Sequence, residues 1–231
     1  MRFNRRLPFL VITFAVLLGG SAFAGVATYS GFDIGTSSIA TSPNSVAAAA
    51  AYYAATGSLP VIDFESAPLN GYTSLVIAPG VTLTGTTFFG GNQSIINTFV
   101  CAPAQCGYNT TSGGSQWADV YGGSITFSFA TPISTFGAYF TGDQIAGIGL
   151  SFNDGSPQFV PLPGDPNNGG TAFVGFVDTT ASFSSVTVTA YNDIIGVDDV
   201  GYGGVTPEPG SLVLLGSGVL GIAGVLRRKL M

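Results

Sequence analysis

The sequence predicts an all-β fold, an antiparallel β-sandwich of jelly-roll type. One N-terminal Ala-rich helix and one C-terminal hydrophobic helix accompany it. Three observations predict this. Apolar residues recur with period two in several short runs, the pattern of strands with one buried face. Gly, Ser, Thr, Val and Phe dominate residues 25–206, and long charged helix formers are scarce there. Polar, Gly-rich turns separate the runs, so many short strands must stack into two layers.

The elements follow in chain order. Residues 1–24 read as a signal peptide. Arg2, Arg5 and Arg6 form a basic start and Leu7 to Leu18 an apolar run. Ala22 and Ala24 supply the small residues that a signal peptidase accepts, so cleavage after Ala24 is expected. Residues 25–59 form an N-terminal segment with a helix over 43–56. Ser42 is the expected N-cap, Pro43 suits the first helical position, and Gly57 is placed to end the helix.

The sandwich domain is expected over 60–203. Ile62 and Phe64 alternate with Asp63 and Glu65. Val81 and Leu83 alternate with Thr82 and Thr84. Ile125, Phe127 and Phe129 alternate with Thr126 and Ser128, and Val186, Val188 and Ala190 with Thr187, Thr189 and Tyr191. Further strands are expected near 133–140, 147–152, 158–162, 171–177 and 194–202. Asn153 to Ser156 reads as a hairpin turn, and 163–170 and 107–116 as loops.

Residues 204–231 form a membrane-handling tail. Pro207, Glu208 and Pro209 precede the uncharged run Ser211 to Leu226. As a helix that run would span about 24 Å, near the thickness of a bilayer core. Arg227, Arg228 and Lys229 close it and should stay cytoplasmic.

Charge sharpens the functional reading. The chain has 6 Lys and Arg, 12 Asp and Glu and no His. Every base lies in the two end segments, and every acid but Glu208 lies in 25–206. Nucleic acid is excluded as a partner of that region, because binding it needs Lys and Arg against phosphate. Without His or Lys there is no Ser-His-Asp, Cys-His or Schiff-base chemistry. A carboxylate pair for glycoside hydrolysis remains, with Asp63, Glu65, Asp119, Asp143, Asp198 and Asp199 as candidates. Cys101 and Cys106 are the only cysteines. In an exported protein they are expected to form a disulfide that shapes a local turn. Tyr108, Trp117 and Tyr121 flank the 107–116 loop, and their rings are candidates for stacking on sugar faces.

Two resemblances add to this. The ordered Pro207-Glu208-Pro209, Gly-rich apolar helix and Arg227-Arg228-Lys229 resemble the PEP-CTERM sorting signal of Gram-negative bacteria. That resemblance implies processing by an exosortase, an inner-membrane-anchored precursor, and delivery to the cell surface or extracellular matrix. The segments Val61-Ile62-Asp63-Phe64-Glu65 and Gly196-Val197-Asp198-Asp199-Val200 resemble the first and last strands of jelly-roll modules. Examples are the MAM domain and calcium-dependent carbohydrate-binding modules. The MAM cysteine pattern is missing. The resemblance implies Ca²⁺ held by Asp63, Glu65, Asp198 and Asp199, which suits a hard cation bound by oxygens. The leading expectation is a non-catalytic surface or matrix protein with extracellular polysaccharide as ligand. The alternative is an exported glycan-active hydrolase.

Overall fold

The computed structural model describes residues 25–98, 106–144, 147–153, 158–160 and 169–204. The signal peptide, Cys101 and the tail therefore lie outside the described residues. The strands are β1 (Val26–Ile34), β2 (Val61–Ile62), β3 (Asn70–Tyr72), β4 (Ser74–Ala78), β5 (Val81–Thr86) and β6 (Gln93–Ile96). They continue with β7 (Trp117–Ile133), β8 (Thr135–Thr141), β9 (Ile148–Phe152), β10 (Gln158–Val160), β11 (Gly170–Asp178) and β12 (Phe183–Gly203). The α-helix α1 spans Pro43–Thr56.

All strand pairs are antiparallel, and hydrogen bonds link the strands into one sheet with the central path β1-β11-β8-β12-β7-β5-β4. Two long strands fold that sheet over itself. The first half of β12 pairs with the second half of β7 and with β9, whereas its second half pairs with the start of β7 and with β8. The ladder slips between Thr189 and Ile194, opposite Gly122 and Gly123, which both have positive φ. Such bulges bend a strand and let it pass from one layer to the other. A Cβ on Gly123 would stand 2.3 Å from the Thr86 carbonyl, so the bend requires glycine.

The two layers face each other across one core. Phe127 of β7 meets Phe136 of β8 at 5.6 Å between ring centres, and Phe152 of β9 meets Phe176 of β11 at 5.3 Å. The predicted alternations at 81–84, 125–129 and 186–190 hold: the apolar residues are buried and most of their polar neighbours remain partly open. Burial of these side chains is the main stabilising term, at about 25 cal/mol per Å² of apolar surface.

α1 covers the outer face of β8 and β11, which explains why both strands are buried on both sides. Tyr52 lies flat against the paired Gly137 and Gly175. A Cβ on Gly175 would come within 2.6 Å of the Tyr52 ring. The helix N-terminus corrects the sequence reading. Ser42 makes no capping bond to the helix, and its hydroxyl goes to Ser38, Thr36 and Thr171. Asp33, at the end of β1, caps instead, accepting from the backbone N–H of Asn44 at 3.1 Å and of Ser45 at 2.9 Å. Burial pushes its carboxyl up, but these bonds and those from the two side chains outweigh it and hold it below the usual range.

Other differences also have local causes. Strand β1 carries little alternation, with its residues mostly open, so periodicity does not reveal it. β3, β4 and β6 are likewise absent from the sequence reading. β2 ends at Ile62, because Phe64 adopts φ 59° and turns its ring into the core. Asp63 and Glu65 therefore sit in a turn, not on a strand face.

Candidate functional site

The acids of the expected calcium site do lie near one loop. β2 pairs with β12 through Ile62 and Val200, which brings the turn after β2 beside Asp198 and Asp199. Their oxygens are taken by hydrogen-bond donors. Asp198 is fully buried and accepts from the N–H of Thr110 at 2.6 Å, of Thr111 at 3.2 Å and of Asp199 at 2.8 Å. Asp199, at φ 47°, accepts from the hydroxyls of Thr110 at 2.9 Å and Thr111 at 2.7 Å. Glu65 Oε1 accepts from the N–H groups of Ser115 and Gln116, both at 2.8 Å. Asp63 accepts from the Glu65 N–H at 3.2 Å. Asp198, Asp199 and Glu65 clasp the 110–116 loop, and Asp63 braces the backbone of Glu65. Among the described residues, no three His, Cys, Asp or Glu side chains surround a metal position.

Two of the three expected sugar-stacking rings have no open face. Tyr108 is buried, with its N–H bonded to the Thr141 hydroxyl and its own hydroxyl to that of Thr171. Trp117 is buried over Gly196, where a Cβ would lie 2.9 Å from the indole. The Gly-rich loop brings these rings inward, so they pack the fold. Tyr121 is 43% exposed.

Tyr121 instead belongs to a different aromatic cluster. With Phe88, Phe89, Gly122, Asn192, Asp193 and Ile194 it lines an open groove of about 310 Å³. Phe88 is 63% and Phe89 82% exposed, and their rings meet edge to face at 5.4 Å. Large exposed rings on a solvated sheet are costly unless they serve contact. A tight turn holds them out: Thr87 N–H bonds to Gly91 O at 2.8 Å and Gly90 N–H to Thr87 O at 3.0 Å. Fully buried Gln93 ties this turn to the β7 bulge. Its Nε2 donates to Thr86 O at 2.9 Å and Gly122 O at 2.8 Å, and its Oε1 accepts from Tyr121 N–H at 2.9 Å. Sequence reading missed Phe88, Phe89 and Gln93. The adjacent Phe pair before Gly90-Gly91 was the available signal, because a turn places such rings outward. A second groove, between β1 and α1, is larger at about 470 Å³ but has only Phe32 as an aromatic wall.

Two further acids are buried. Burial pushes Asp119 up to about 7, beside the buried Tyr72. Burial first, and then the charge of Asp193, raises Asp143. Asp119 and Asp143 do not line the aromatic groove. Among the described residues Asp193 is the one carboxylate that does, and it accepts from the N–H of Gln144 at 2.6 Å and of Ile194 at 2.8 Å. The expected Cys101–Cys106 bridge involves a residue outside the described ones, and Cys106 itself is buried. No helix among the described residues is long and apolar enough to cross a membrane, and the expected span 211–226 lies outside them.

No curated protein matches the chain. Two solved structures, both mutants of the family 29 carbohydrate binding module CBM29-2, overlap it in part. One is 13% identical, covers 66% of this chain and 97% of its own, and has a TM-score of 0.31. The other is 12% identical, covers 66% and 99%, and has a TM-score of 0.32. Overlap at this level adds nothing to the fold given by strand pairing. Residues 205–229 match the model of the PEP-CTERM protein-sorting motif. The chain thus carries at its end the PEP-CTERM sorting motif of an exported protein, joined to an antiparallel β-sandwich.

Proposed function

We propose that this is a non-catalytic cell-surface or extracellular-matrix protein that binds neutral polysaccharide in the Phe88–Phe89–Tyr121 groove. A Gram-negative cell exports it, and an exosortase processes its tail. The observation that carries the reading is the set of three exposed rings around one groove. Sugar rings carry apolar C–H faces that pack on aromatic faces, and the Tyr121 hydroxyl and Asn192 amide supply polar contacts at the same place. The charge pattern selects the ligand class. Residues 25–206 hold no Lys, Arg or His, so an anionic polysaccharide would meet repulsion without any counter-charge.

The groove also favours binding over hydrolysis. A glycosidase needs two carboxylates flanking the bond. Asp193 is the one acid among the described lining residues, and backbone N–H groups already engage it. Affinity electrophoresis in gels containing cellulose derivatives, xylan, mannan or starch tests the reading. Retardation by at least one of these, without release of reducing ends, is expected. Equal mobility in every gel, or steady sugar release, would refute it.

A further inference from the structure

The sheet ends on one side at β1, which among the described residues pairs only with β11. β1 is nine residues long, and its ladder runs without a register shift. The other strands with a single partner are shorter. β4 has five residues and a register shift after Val76, and β2, β3 and β10 have two or three residues. Short or irregular edges resist pairing with another chain, as do edge lysines and prolines. β1 has none of these protections. Val26–Ile34 contains no Pro, Lys or Arg, and its one charged residue is Asp33. That carboxylate is buried and accepts four hydrogen bonds from Asn44 and Ser45.

The direction of the free backbone groups follows from the ladder ends. Gly35 N–H bonds to Gly169 O, and Thr179 N–H to Gly25 O. Odd-numbered residues of β1 therefore turn their backbone groups toward β11, and Val26, Thr28, Ser30, Phe32 and Ile34 turn theirs outward. The side chains of these five share one face of the strand. On it Val26, Phe32 and Ile34 are 52%, 42% and 58% exposed. The groove of about 470 Å³ continues the strip, with Ser30, Gly31 and Phe32 of β1 on one side and Asn44, Ala47 and Ala48 of α1 on the other. α1 carries no charged residue, so the strip is neutral from strand edge to helix.

We propose that two copies of this chain pair antiparallel through β1, about a two-fold axis at Ser30. That register sets Val26 against the second copy's Ile34 and Thr28 against the second copy's Phe32, so each outward N–H and C=O meets its complement. Asp33 stands opposite the second copy's Ala27, and no like charges meet. Charge favours this strip as the contact. Residues 25–206 hold acids and no base, so two copies repel one another wherever acids face each other. The size fits as well. Nine residues at about 3.3 Å each give an edge about 30 Å long. Sheet and helix together make it about 20 Å deep. That is about 600 Å² per copy and about 1,200 Å² in all, the lower end for a specific dimer.

The test is sedimentation of the exported chain recovered from cell-surface material. A monomer–dimer equilibrium with Kd of about 1–100 μM is expected. Ser30→Lys and Ser30→Glu each set like charges opposite one another across the axis. Each should weaken the dimer at least about tenfold. Ser30 is exposed, so both variants should keep the parent's circular dichroism and melting temperature. A one-to-one mixture of the two should regain the dimer, because Lys then faces Glu. Val76→Lys on the β4 edge should leave dimerisation unchanged. A parent that stays monomeric at about 1 mM would overturn the proposal. So would a dimer indifferent to both Ser30 variants, a mixture that stays monomeric, or growth beyond the dimer. Slow hydrogen exchange at the outward amides of β1 in a monomer would assign the edge to a segment of the same chain instead. No sugar enters the experiment, so its failure leaves the polysaccharide reading standing.

Discussion

Single residues set the pH response. Asp119 is 4% exposed, and burial pushes its carboxyl up to about 7. An unfolded Asp titrates near ~3.9. Between about pH 4 and 7 the folded chain therefore holds a proton that the unfolded chain has released. Stability falls as pH rises through that window and levels off above it. The melting temperature should accordingly decline from pH 4.5 to 7.5; burial raises Asp198 and Asp143 in the same sense, so Asp119→Asn should make the decline shallower without abolishing it. An unchanged slope in Asp119→Asn would show that this acid does not drive it. Asp33 runs the other way, because its hydrogen bonds hold it low and its stabilising contribution is lost only in strong acid. Neither role was legible in the sequence. Asp33 meets Asn44 and Ser45 through the packing of β1 on α1, and Asp119 is enclosed by strands remote in sequence. Local patterns carry no record of such partners.

Elements were legible where one face is buried and the pattern is local. The alternations in β5, β7 and β12 and the Ala-rich run of α1 each reported their own structure. β1 was not, because it lies at the sheet edge with little burial contrast, and β2 was read too long, because the turn at Phe64 cuts it short. How elements dock was also hidden. The fit of α1 depends on Gly137 and Gly175 leaving room for Tyr52. Gly175→Val should cost about 1–3 kcal/mol in denaturant titrations, the usual penalty of overpacking. A neutral effect would mean that α1 sits loosely. Gln93 joins the Phe88–Phe89 turn to the β7 bulge by three backbone bonds. Gln93→Leu should destabilise the fold by about 1–3 kcal/mol, since it leaves buried backbone groups unpaired. It should also weaken polysaccharide binding more than an exposed Val76→Ala substitution on β4, which should leave both unchanged.

At the scale of the whole molecule, the sorting motif and the sandwich have separate tasks. The motif at 205–229 concerns delivery, and its ordered tripeptide, apolar run and basic end made it the most legible part of the chain. Intact-mass analysis of surface material should find a chain beginning at Gly25, altered after Pro209, and lighter by two hydrogens for a Cys101–Cys106 bridge. A full-length chain with two alkylatable thiols would contradict all three. The proposed binding face was only partly legible. Sequence reading found Tyr121 but joined it to Tyr108 and Trp117, because it could not see that the bulge at Gly122 and Gly123 turns Tyr121 toward Phe88 and Phe89. The central claim is that these three rings hold a neutral polysaccharide. Calorimetric titration with the polysaccharide that retards the parent protein tests it most directly. Each ring should contribute about 0.5–1.5 kcal/mol, so Phe89→Ala and Tyr121→Ala should each weaken binding by about two- to tenfold, with the fold intact by circular dichroism. Full affinity in the Phe88→Ala/Phe89→Ala/Tyr121→Ala triple variant would contradict the account.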